Sequence, residues 1–150
     1  MLPDAVSSVL SRKSGDRKVL SIAPDASVYD AIAMMAENSI GALLVVSNGQ
    51  LVGILSERDY ARKVVLQSRS SKDTRVSDIM STPVIAVSPS HTVEECMRLM
   101  TDKRIRHLPV VEGSTIAGIV SIGDLVRSVI TIQGETIQYL QQYIGGHYPG

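Results

Sequence analysis

Residues 116–127 read I-A-G-I-V-S-I-G-D-L-V-R, and they contain the local pattern from which the architecture can be predicted. The apolar run at 116–120 has the length of a buried strand, and Ser121-x-x-Asp124 follows it before a helical pattern. This order predicts a strand that leads directly into the N-terminus of a helix. Residues 51–62, L-V-G-I-L-S-E-R-D-Y-A-R, show the same pattern 65 positions earlier.

The similarity between these two stretches extends towards the N-terminus. Residues 19–62 align with residues 84–127 without a gap, and 13 of the 44 pairs are identical. Ordinary residue frequencies would give roughly three identities. The identical pairs include Gly53 with Gly118 and Asp59 with Asp124. The sequence therefore predicts two copies of one structural unit.

The two copies have the same predicted order of elements. Ser27 with Asp30, and Thr92 with Glu95, have the spacing of a capping box before an amphipathic helix. Two apolar runs follow in each copy, and Asn48-Gly49 between the first two is a strong hairpin signal. The predicted strands include 19–22, 43–46, 51–55, 108–111 and 116–120. The predicted fold class is α/β (α+β), with two tandem β-α-β-β-α repeats.

The duplication also predicts the domain organisation. A repeat with three strands and two helices leaves part of its sheet uncovered, so we expect the copies to cover each other across a pseudo-twofold axis. The polar stretch between the copies is a linker with one short turn, and the tail has apolar residues at helical spacing before Gly145-Gly146. The predicted segments are a lead-in at 1–18 with a helix at 4–10, repeats at 19–67 and 84–132, a linker at 68–83, and a C-terminal helix and tail at 133–150.

Composition argues against several classes of partner. The 15 basic and 15 acidic residues cancel, and the chain has no Phe or Trp, so nucleic-acid binding is not expected. No apolar run has the length of a membrane span, and no N-terminal segment resembles a signal peptide, so we expect a cytoplasmic protein. The one cysteine, Cys96, lies in a helical pattern and is expected to be a buried thiol.

These features together resemble the CBS (cystathionine β-synthase) domain, and the tandem pair resembles a Bateman module. The resemblance covers residues 19–130. The motifs that carry it are R-I-R-H-L-P-V-V at 104–111, G-I-L-S-E-R-D at 53–59, G-I-V-S-I-G-D at 118–124 and V-S-D-I-M-S-T-P at 76–83.

The Ser-x-x-Asp turns allow two interpretations. Ser121 can cap the helix by accepting from the Asp124 amide, while the carboxylate stabilises the positive end of the helix dipole. Alternatively, the free amides can bind a phosphate, and the carboxylate can accept two hydrogen bonds from a ribose diol. The pattern alone favours the cap. The resemblance favours the ligand site.

The resemblance implies two clefts for adenosine nucleotides, each with the Asp on the ribose. The first would use Ile54, Ser56, Arg58 and Asp59, closed by Thr82, Val84, Ile105 and Arg106. The second would use Ile119, Ser121, Gly123 and Asp124, closed by Lys18, Leu20, Ile40 and Gly41. Arg58 stands where the second copy has Gly123, and Arg62 and Lys63 follow one turn later. The first cleft is therefore expected to prefer the more anionic ligand.

The functional expectation is a non-catalytic sensor. We see no nucleophile–base pair, metal-ligand cluster or Walker-type glycine loop, so an enzyme is the least favoured interpretation. The resemblance implies AMP as the first expected ligand, with ATP, ADP or NAD as alternatives, and a regulated partner protein whose identity the sequence does not give. Similar modules form homodimers, here expected through helical faces at 56–67 and 121–132. The alternative function is a ligand-free dimerisation or scaffold module.

Overall fold

A computed structural model of the chain describes residues 5–13 and 19–143. It divides into two compact units, named here by their acidic residues. The Asp59 unit comprises Lys18–Ala86 and Val111–Ala117. The Asp124 unit comprises Met1–Arg17, Val87–Val110 and Gly118–Gly150.

The Asp59 unit is built on a three-stranded sheet in the order β1-β2-β3. Strand β1 pairs in parallel with β2, and β2 pairs antiparallel with β3. Helix α2 follows β1 in sequence and precedes β2. Its N-cap Ser27 accepts from the Asp30 amide, which is one of the two hydrogen bonds of the predicted capping box. The bounds are β1 Ser21–Ile22, α2 Val28–Asn38, β2 Ala42–Ser47 and β3 Gln50–Ser56.

The β2–β3 hairpin confirms the turn prediction. Asn48 and Gly49 both have positive φ angles, 52° and 77°. A two-residue turn with this conformation follows the twist of the flanking strands, which is why Asn-Gly favours it. The hairpin places Ser47 opposite Gln50 and runs to Ala42 opposite Ser56.

Two short helical elements complete the Asp59 unit. Helix α3, Glu57–Tyr60, follows β3 directly and continues as one π-helical turn, Ala61–Val65. Helix α4, Val76–Ile79, contacts β3 and lies within the predicted linker. One hydrophobic cluster joins the sheet to these helices. Its fully buried members include Val28, Val45, Leu55, Val64 and Ile79.

The Asp124 unit is mainly helical. Helix α5, Val93–Lys103, begins with the predicted capping box between Thr92 and Glu95, and it contacts α6, Ile122–Tyr143. Helix α1, Val6–Arg12, also contacts α6. Strands β4, His107–Glu112, and β5, Thr115–Ser121, form a two-stranded sheet, of which residues 111–117 are assigned to the Asp59 unit. Cys96 is fully buried on α5, as predicted.

The first strand of the second repeat is reduced to a single bridge between Val87 and Val110. Proline explains the difference from β1. The Pro109 carbonyl accepts from the Val87 amide at 3.0 Å, but Pro109 has no N–H to donate to the facing strand, so the ladder does not extend. Its counterpart in the first repeat, Leu44, pairs with Ser21 in the parallel ladder.

The C-terminal helix also differs from the prediction. Helix α6 continues without a break from residue 122 to residue 143, whereas the sequence predicted a boundary after residue 132. No proline interrupts this stretch, and Gly134 costs roughly 1 kcal/mol in the helix interior, too little to end it. The predicted stop at Gly145-Gly146 lies outside the described residues.

Candidate functional site

The first Ser-x-x-Asp turn lies where β3 ends and α3 begins. Ser56 is the N-cap, and its hydroxyl accepts from the Asp59 amide at 3.1 Å. The Asp59 carboxylate accepts in return from the Ser56 amide at 3.0 Å, which completes a capping box. Asp59 is buried, at 9% relative exposure. The capping interpretation of this turn is therefore confirmed as a structural role.

The Asp59 carboxylate has two further partners in its own unit. The Ser81 hydroxyl, which follows α4, donates to Oδ1 at 3.1 Å, and Lys63 Nζ lies 3.1 Å from the same oxygen. Lys63 also donates to the Ile79 carbonyl at 2.9 Å. These contacts connect the start of α3 with the end of α4.

The second turn repeats this geometry where β5 meets α6. The Ser121 amide donates to Asp124 Oδ2 at 2.8 Å, and the Asp124 amide donates to the Ser121 hydroxyl at 3.1 Å. Asp124 is buried, at 7% relative exposure. The turn therefore holds a carboxylate inside the protein in a fixed orientation.

Two cations neutralise this second carboxylate. Lys13 Nζ, at the end of α1, lies 2.9 Å from Oδ2 and also donates to the Ile119 carbonyl at 2.8 Å. Arg127 Nη2, one turn along α6, lies 2.6 Å from Oδ1. Each oxygen of Asp124 thus has its own cationic partner.

The electrostatics keep Asp124 ionised at neutral pH. Burial raises the pKa of its carboxyl, but the hydrogen bonds from Lys13 and Ser121 and the Lys13 charge outweigh it, so the pKa lies below its ordinary value. Burial lowers the pKa of His107 on β4, and the nearby Asp124 charge opposes that shift only in part. An ionised Asp124 can act only as a hydrogen-bond acceptor, which suits a diol.

Helices α1 and α4 have related sequences and occupy equivalent positions. The segment V-S-S-V-L-S-R-K at 6–13 aligns position by position with V-S-D-I-M-S-T-P at 76–83. In the Asp59 unit, the Val76 amide donates to the Ala26 carbonyl and the Ser77 amide to the Pro24 carbonyl, both at 2.9 Å.

The Asp124 unit contains the matching pair of contacts. The Val6 amide donates to the His91 carbonyl at 2.9 Å, and the Ser7 amide donates to the Pro89 carbonyl at 3.0 Å. These acceptors are the second-repeat counterparts of Ala26 and Pro24. The helix that precedes the first repeat therefore packs on the second, while α4, which precedes the second, packs on the first.

Two glycines shared by the repeats make room for these helices. A Cβ on Gly53 would lie 2.6 Å from Met80 Sδ, and a Cβ on Gly118 would lie 2.9 Å from Leu10 Cδ2. Leu10 and Met80 are matched positions of α1 and α4. Close approach of the helix to the strand therefore explains glycine at both sites.

A cavity of about 370 Å³ opens beside Asp124 within its unit. Its lining residues are Val9, Arg12, Lys13, Asp124, Arg127, Ser128 and Thr131. Arg12 contributes a hydrogen bond from Nη1 to the Ser128 hydroxyl at 3.3 Å. The cavity is thus bounded by the end of α1 and one face of α6, and three of its seven side chains are cationic.

The residues predicted for the first cleft are divided between the units. Ile105 and Arg106 belong to the Asp124 unit, where the Arg106 carbonyl accepts from the Ile122 amide at 2.9 Å. The Asp59 unit holds Ile54, Ser56, Arg58, Asp59, Arg62, Thr82 and Val84. Ile54 forms an antiparallel bridge with Ser81, which brings the segment of Thr82 to β3. The complete cleft remains a prediction.

The second predicted cleft is divided in the same way. The Asp124 unit holds Ile119, Ser121, Gly123 and Asp124. Leu20, Ile40 and Gly41 belong to the Asp59 unit, and Lys18 lies outside the described residues. Ile40 and Gly41 line a cavity of about 260 Å³ with Glu57, whose amide donates to the Gly41 carbonyl at 3.0 Å.

Sequence reasoning missed the contribution of α1 to the Asp124 turn. The sequence places Lys13 and Arg12 in a predicted lead-in, whereas the structure places them in the lining of the cavity beside Asp124. The signal that could have identified them is the similarity of residues 6–13 to the V-S-D-I-M-S-T-P motif. Since Ser81 of that motif contacts Asp59, the aligned segment is expected beside Asp124.

Two properties of the described residues bear on metal binding and on thiol chemistry. Among residues 5–13 and 19–143, no group of three or more His, Cys, Asp or Glu side chains could hold a metal ion. Burial raises the pKa of the Cys96 thiol to about 11, so this cysteine is protonated at neutral pH. What these turns offer is a pair of fixed, buried carboxylates at helix starts.

The CBS domain family matches the chain twice, over residues 6–66 and 76–131. These matches begin at the first residues of α1 and α4. The chain belongs to the CBS domain family, and its mixed α/β architecture is that of the CBS-pair proteins it resembles.

Similar proteins support this assignment. A mitochondrial CBS domain-containing protein of Arabidopsis thaliana is 47% identical over 91% of this chain and 68% of its own length. A CBS-domain protein from Burkholderia ambifaria has a solved structure with a TM-score of 0.83 and 53% identity, covering 85% of this chain and 95% of that one.

A solved complex shares the fold at lower identity. A CBS domain protein from Pyrobaculum aerophilum, complexed with AMP, has a TM-score of 0.70 and 24% identity over 81% of this chain and 89% of that one.

Within the described part of this chain, no helix is both long and apolar enough to span a membrane.

Proposed function

We propose that the chain is a non-catalytic regulatory module that binds adenosine nucleotides at its two Ser-x-x-Asp turns. The observation that carries this proposal is the buried carboxylate at each turn, held by the Ser amide at 3.0 Å for Asp59 and 2.8 Å for Asp124. A fixed carboxylate of this kind can accept both hydroxyls of a ribose. Membership of the CBS family and the AMP complex of the same fold add support.

The ligand is proposed to be AMP, with ATP, ADP and NAD as the alternatives. These molecules share the adenosine group that a ribose-binding carboxylate would recognise. The clefts proposed from sequence combine residues of both repeats, so binding is expected to depend on both repeats. Occupancy would then be signalled to a regulated partner protein.

The exposed apolar side chains support a homodimer. Val65 and Leu66 follow α3 and are 54% and 73% exposed, and Ile130 on α6 is 61% exposed. Contiguous apolar patches on a protein surface often mark an interface with another protein. Molecular mass in solution at micromolar concentration tests this point, and a monomer would contradict it.

A cytoplasmic location is also proposed, with a mitochondrial one as the alternative that the Arabidopsis relative suggests.

A diol test examines the ligand proposal directly. Calorimetric titration of the full chain with AMP and with 2′,3′-dideoxy-AMP compares ligands that differ only in the ribose hydroxyls. We expect AMP to bind at least roughly tenfold more tightly, because a hydrogen bond to a charged group contributes about 1.5–3 kcal/mol. Equal affinities would contradict ribose recognition by Asp59 or Asp124.

The scaffold alternative makes the opposite prediction. A ligand-free dimerisation module would give flat titrations with AMP, ATP and NAD while still showing the mass of a dimer. Mass spectrometry of small molecules released from the purified protein provides an independent check. Release of an adenosine compound would exclude the scaffold interpretation.

A further inference from the structure

The two oxygens of the Asp124 carboxylate differ in the room they leave for a ligand. A carboxylate oxygen has two lone pairs that can accept hydrogen bonds. On Oδ2 both are used, by the Ser121 amide at 2.8 Å and by Lys13 Nζ at 2.9 Å. On Oδ1 the partner among the described residues is Arg127, which leaves one acceptor position there. The carboxylate as it stands can therefore accept one further donor but not two.

A ribose diol that places one hydroxyl on each oxygen needs an acceptor position on Oδ2 as well. The Ser121 amide is part of the capping turn that fixes the orientation of Asp124, so its loss would open the turn. The other donor on Oδ2 is Lys13, a side chain from a separate helix. The diol and Lys13 therefore compete for the same lone pair.

Helix α1 is anchored differently at its two ends. At its start, the Val6 amide donates to the His91 carbonyl at 2.9 Å, and the Val6 side chain is fully buried. At its end, Lys13 Nζ donates to Asp124 and to the Ile119 carbonyl, and the Lys13 side chain is partly exposed. Displacing Lys13 therefore loosens the end of α1 and leaves its buried start in place.

The Asp59 turn has a different kind of competitor. Its cation is Lys63, four residues along the same helical segment, and the donor that follows α4 is the neutral Ser81 hydroxyl. Displacing Lys63 moves a side chain of that segment, and a serine hydroxyl can rotate towards another acceptor. Through the described contacts, a ribose at Asp124 thus displaces a cation of a separate helix, whereas a ribose at Asp59 does not.

We propose that Lys13 is an internal competitor for the ribose at the Asp124 turn, so that an adenosine nucleotide binds there only when the end of α1 leaves the carboxylate. The inference rests on the proposed function, since it concerns ribose recognition at the same turn. The closed contact lowers the apparent affinity, because only molecules with Lys13 displaced can bind. By linkage, binding favours the released end of α1, so this helix reports the occupancy of the turn.

The first test is calorimetric titration of the full chain and of Lys13→Met with AMP and with 2′,3′-dideoxy-AMP. Methionine keeps an unbranched apolar stem and removes both the charge and the donors. The Asp124 site of this variant should bind AMP roughly tenfold more tightly, because one charge-assisted hydrogen bond no longer has to be broken. The affinity for dideoxy-AMP should not change, since this ligand lacks the hydroxyls that compete with Lys13.

Two further variants are controls for this titration. Lys13→Arg keeps a cationic donor at the end of α1 and should keep the AMP affinity of the unaltered chain. Arg98→Gln removes a positive charge from an exposed ion pair on α5 and should change neither affinity. An AMP affinity in Lys13→Met that is equal to or below that of the unaltered chain would overturn the proposal. An equal gain for dideoxy-AMP would also overturn it, because a loosened pocket would then explain the effect.

A second measurement uses the unaltered chain and needs no variant to fold. The Lys13 amide donates to the Leu10 carbonyl at 3.2 Å, so hydrogen exchange at the amides of residues 10–13 reports opening at the end of α1. Saturating AMP should accelerate exchange there severalfold, and dideoxy-AMP should not. Unchanged or slower exchange with AMP would contradict release of the helix end.

The outcomes separate this inference from the proposed function. If AMP binds equally well to the unaltered chain and to Lys13→Met, and both bind dideoxy-AMP more weakly, Lys13 is not a competitor and ribose recognition stands. If AMP binds to neither protein, the proposed function fails and the inference fails with it. A gain in affinity that is confined to AMP supports both.

Discussion

Lys13 Nζ lies 2.9 Å from Asp124 Oδ2, although 111 positions of sequence separate the two residues. The contact exists because α1 packs on the second repeat, in the position that α4 takes on the first. Asp59 receives its cation from Lys63, four residues along its own helix, whereas the second repeat has Ser128 at that position. The two repeats therefore neutralise equivalent carboxylates from different parts of the chain.

Lys13→Gln is expected to destabilise the fold. The Lys13 side chain is 33% exposed, but its partner carboxylate is 6% exposed, so its loss leaves a buried charge with one cation fewer. We expect a decrease of about 1–3 kcal/mol in the free energy of unfolding, measured by urea denaturation. The control is Arg98→Gln, whose ion pair with Glu94 is exposed on both sides and should cost less than about 1 kcal/mol. Equal costs would contradict this account of Lys13.

Acid unfolding should move to higher pH in the same variant. The folded pKa of Asp124 lies below its ordinary value of 3.8, so the unfolded chain binds the proton first as the pH falls. The stabilisation from ionised Asp124 is complete above the pKa of this carboxyl in the unfolded chain. It is lost as the pH falls through the pKa of the same carboxyl in the folded protein. Removing Lys13 brings the two pKa values closer. Circular dichroism between pH 6 and pH 2 measures the transition, and identical midpoints for both proteins would exclude the effect.

His107 should make stability depend on pH at a milder acidity. Burial holds its folded pKa below the ordinary value of 6.5, so the unfolded chain takes up a proton first as the pH falls through about 6.5. This contribution to stability is complete above 6.5 and is lost below it. The melting temperature should therefore fall less between pH 7.5 and pH 5.5 in His107→Gln than in the unaltered chain. An identical decrease in both would show that His107 is not responsible.

Alanine at the two shared glycines tests the packing of α1 and α4. In Gly53→Ala, the new Cβ meets Met80 at 2.6 Å from Sδ and 3.3 Å from Cβ, so moving the end of that side chain does not remove the contact. We expect about 1–3 kcal/mol of destabilisation, relieved in part by Met80→Ala in the double variant. Gly118→Ala meets only the end of Leu10 and should cost less. Additive effects of Gly53→Ala and Met80→Ala would contradict the contact.

Much of the fold could be predicted because its signals are local. The capping pairs Ser27 with Asp30 and Thr92 with Glu95, and the Asn48-Gly49 turn, depend on residues a few positions apart. The weak first strand of the second repeat could not be read from hydropathy. It depends on Pro109 of β4, which has no N–H to donate to that first strand.

The candidate site was predictable only in part for the same reason. The carboxylates Asp59 and Asp124 follow from the Ser-x-x-Asp pattern, since each turn is closed by its own serine. Lys13 has no local signal, because its partner lies at the far end of the chain. The sequence points to it only through the similarity of residues 6–13 to residues 76–83. A prediction that considers only the charged residues within the turns therefore includes Arg58. It omits Arg12 and Lys13, which lie at the end of α1.

The stoichiometry of AMP binding to Asp59→Ala, Asp124→Ala and the unaltered chain tests the central claim most directly. By calorimetry, the unaltered chain should bind AMP at two sites, and each variant should lose one site and keep the other. A capping role alone would reduce the free energy of unfolding by about 1 kcal/mol in each variant and leave AMP binding unchanged. Unchanged stoichiometry and affinity in both variants, with only that loss of stability, would contradict nucleotide recognition by these carboxylates.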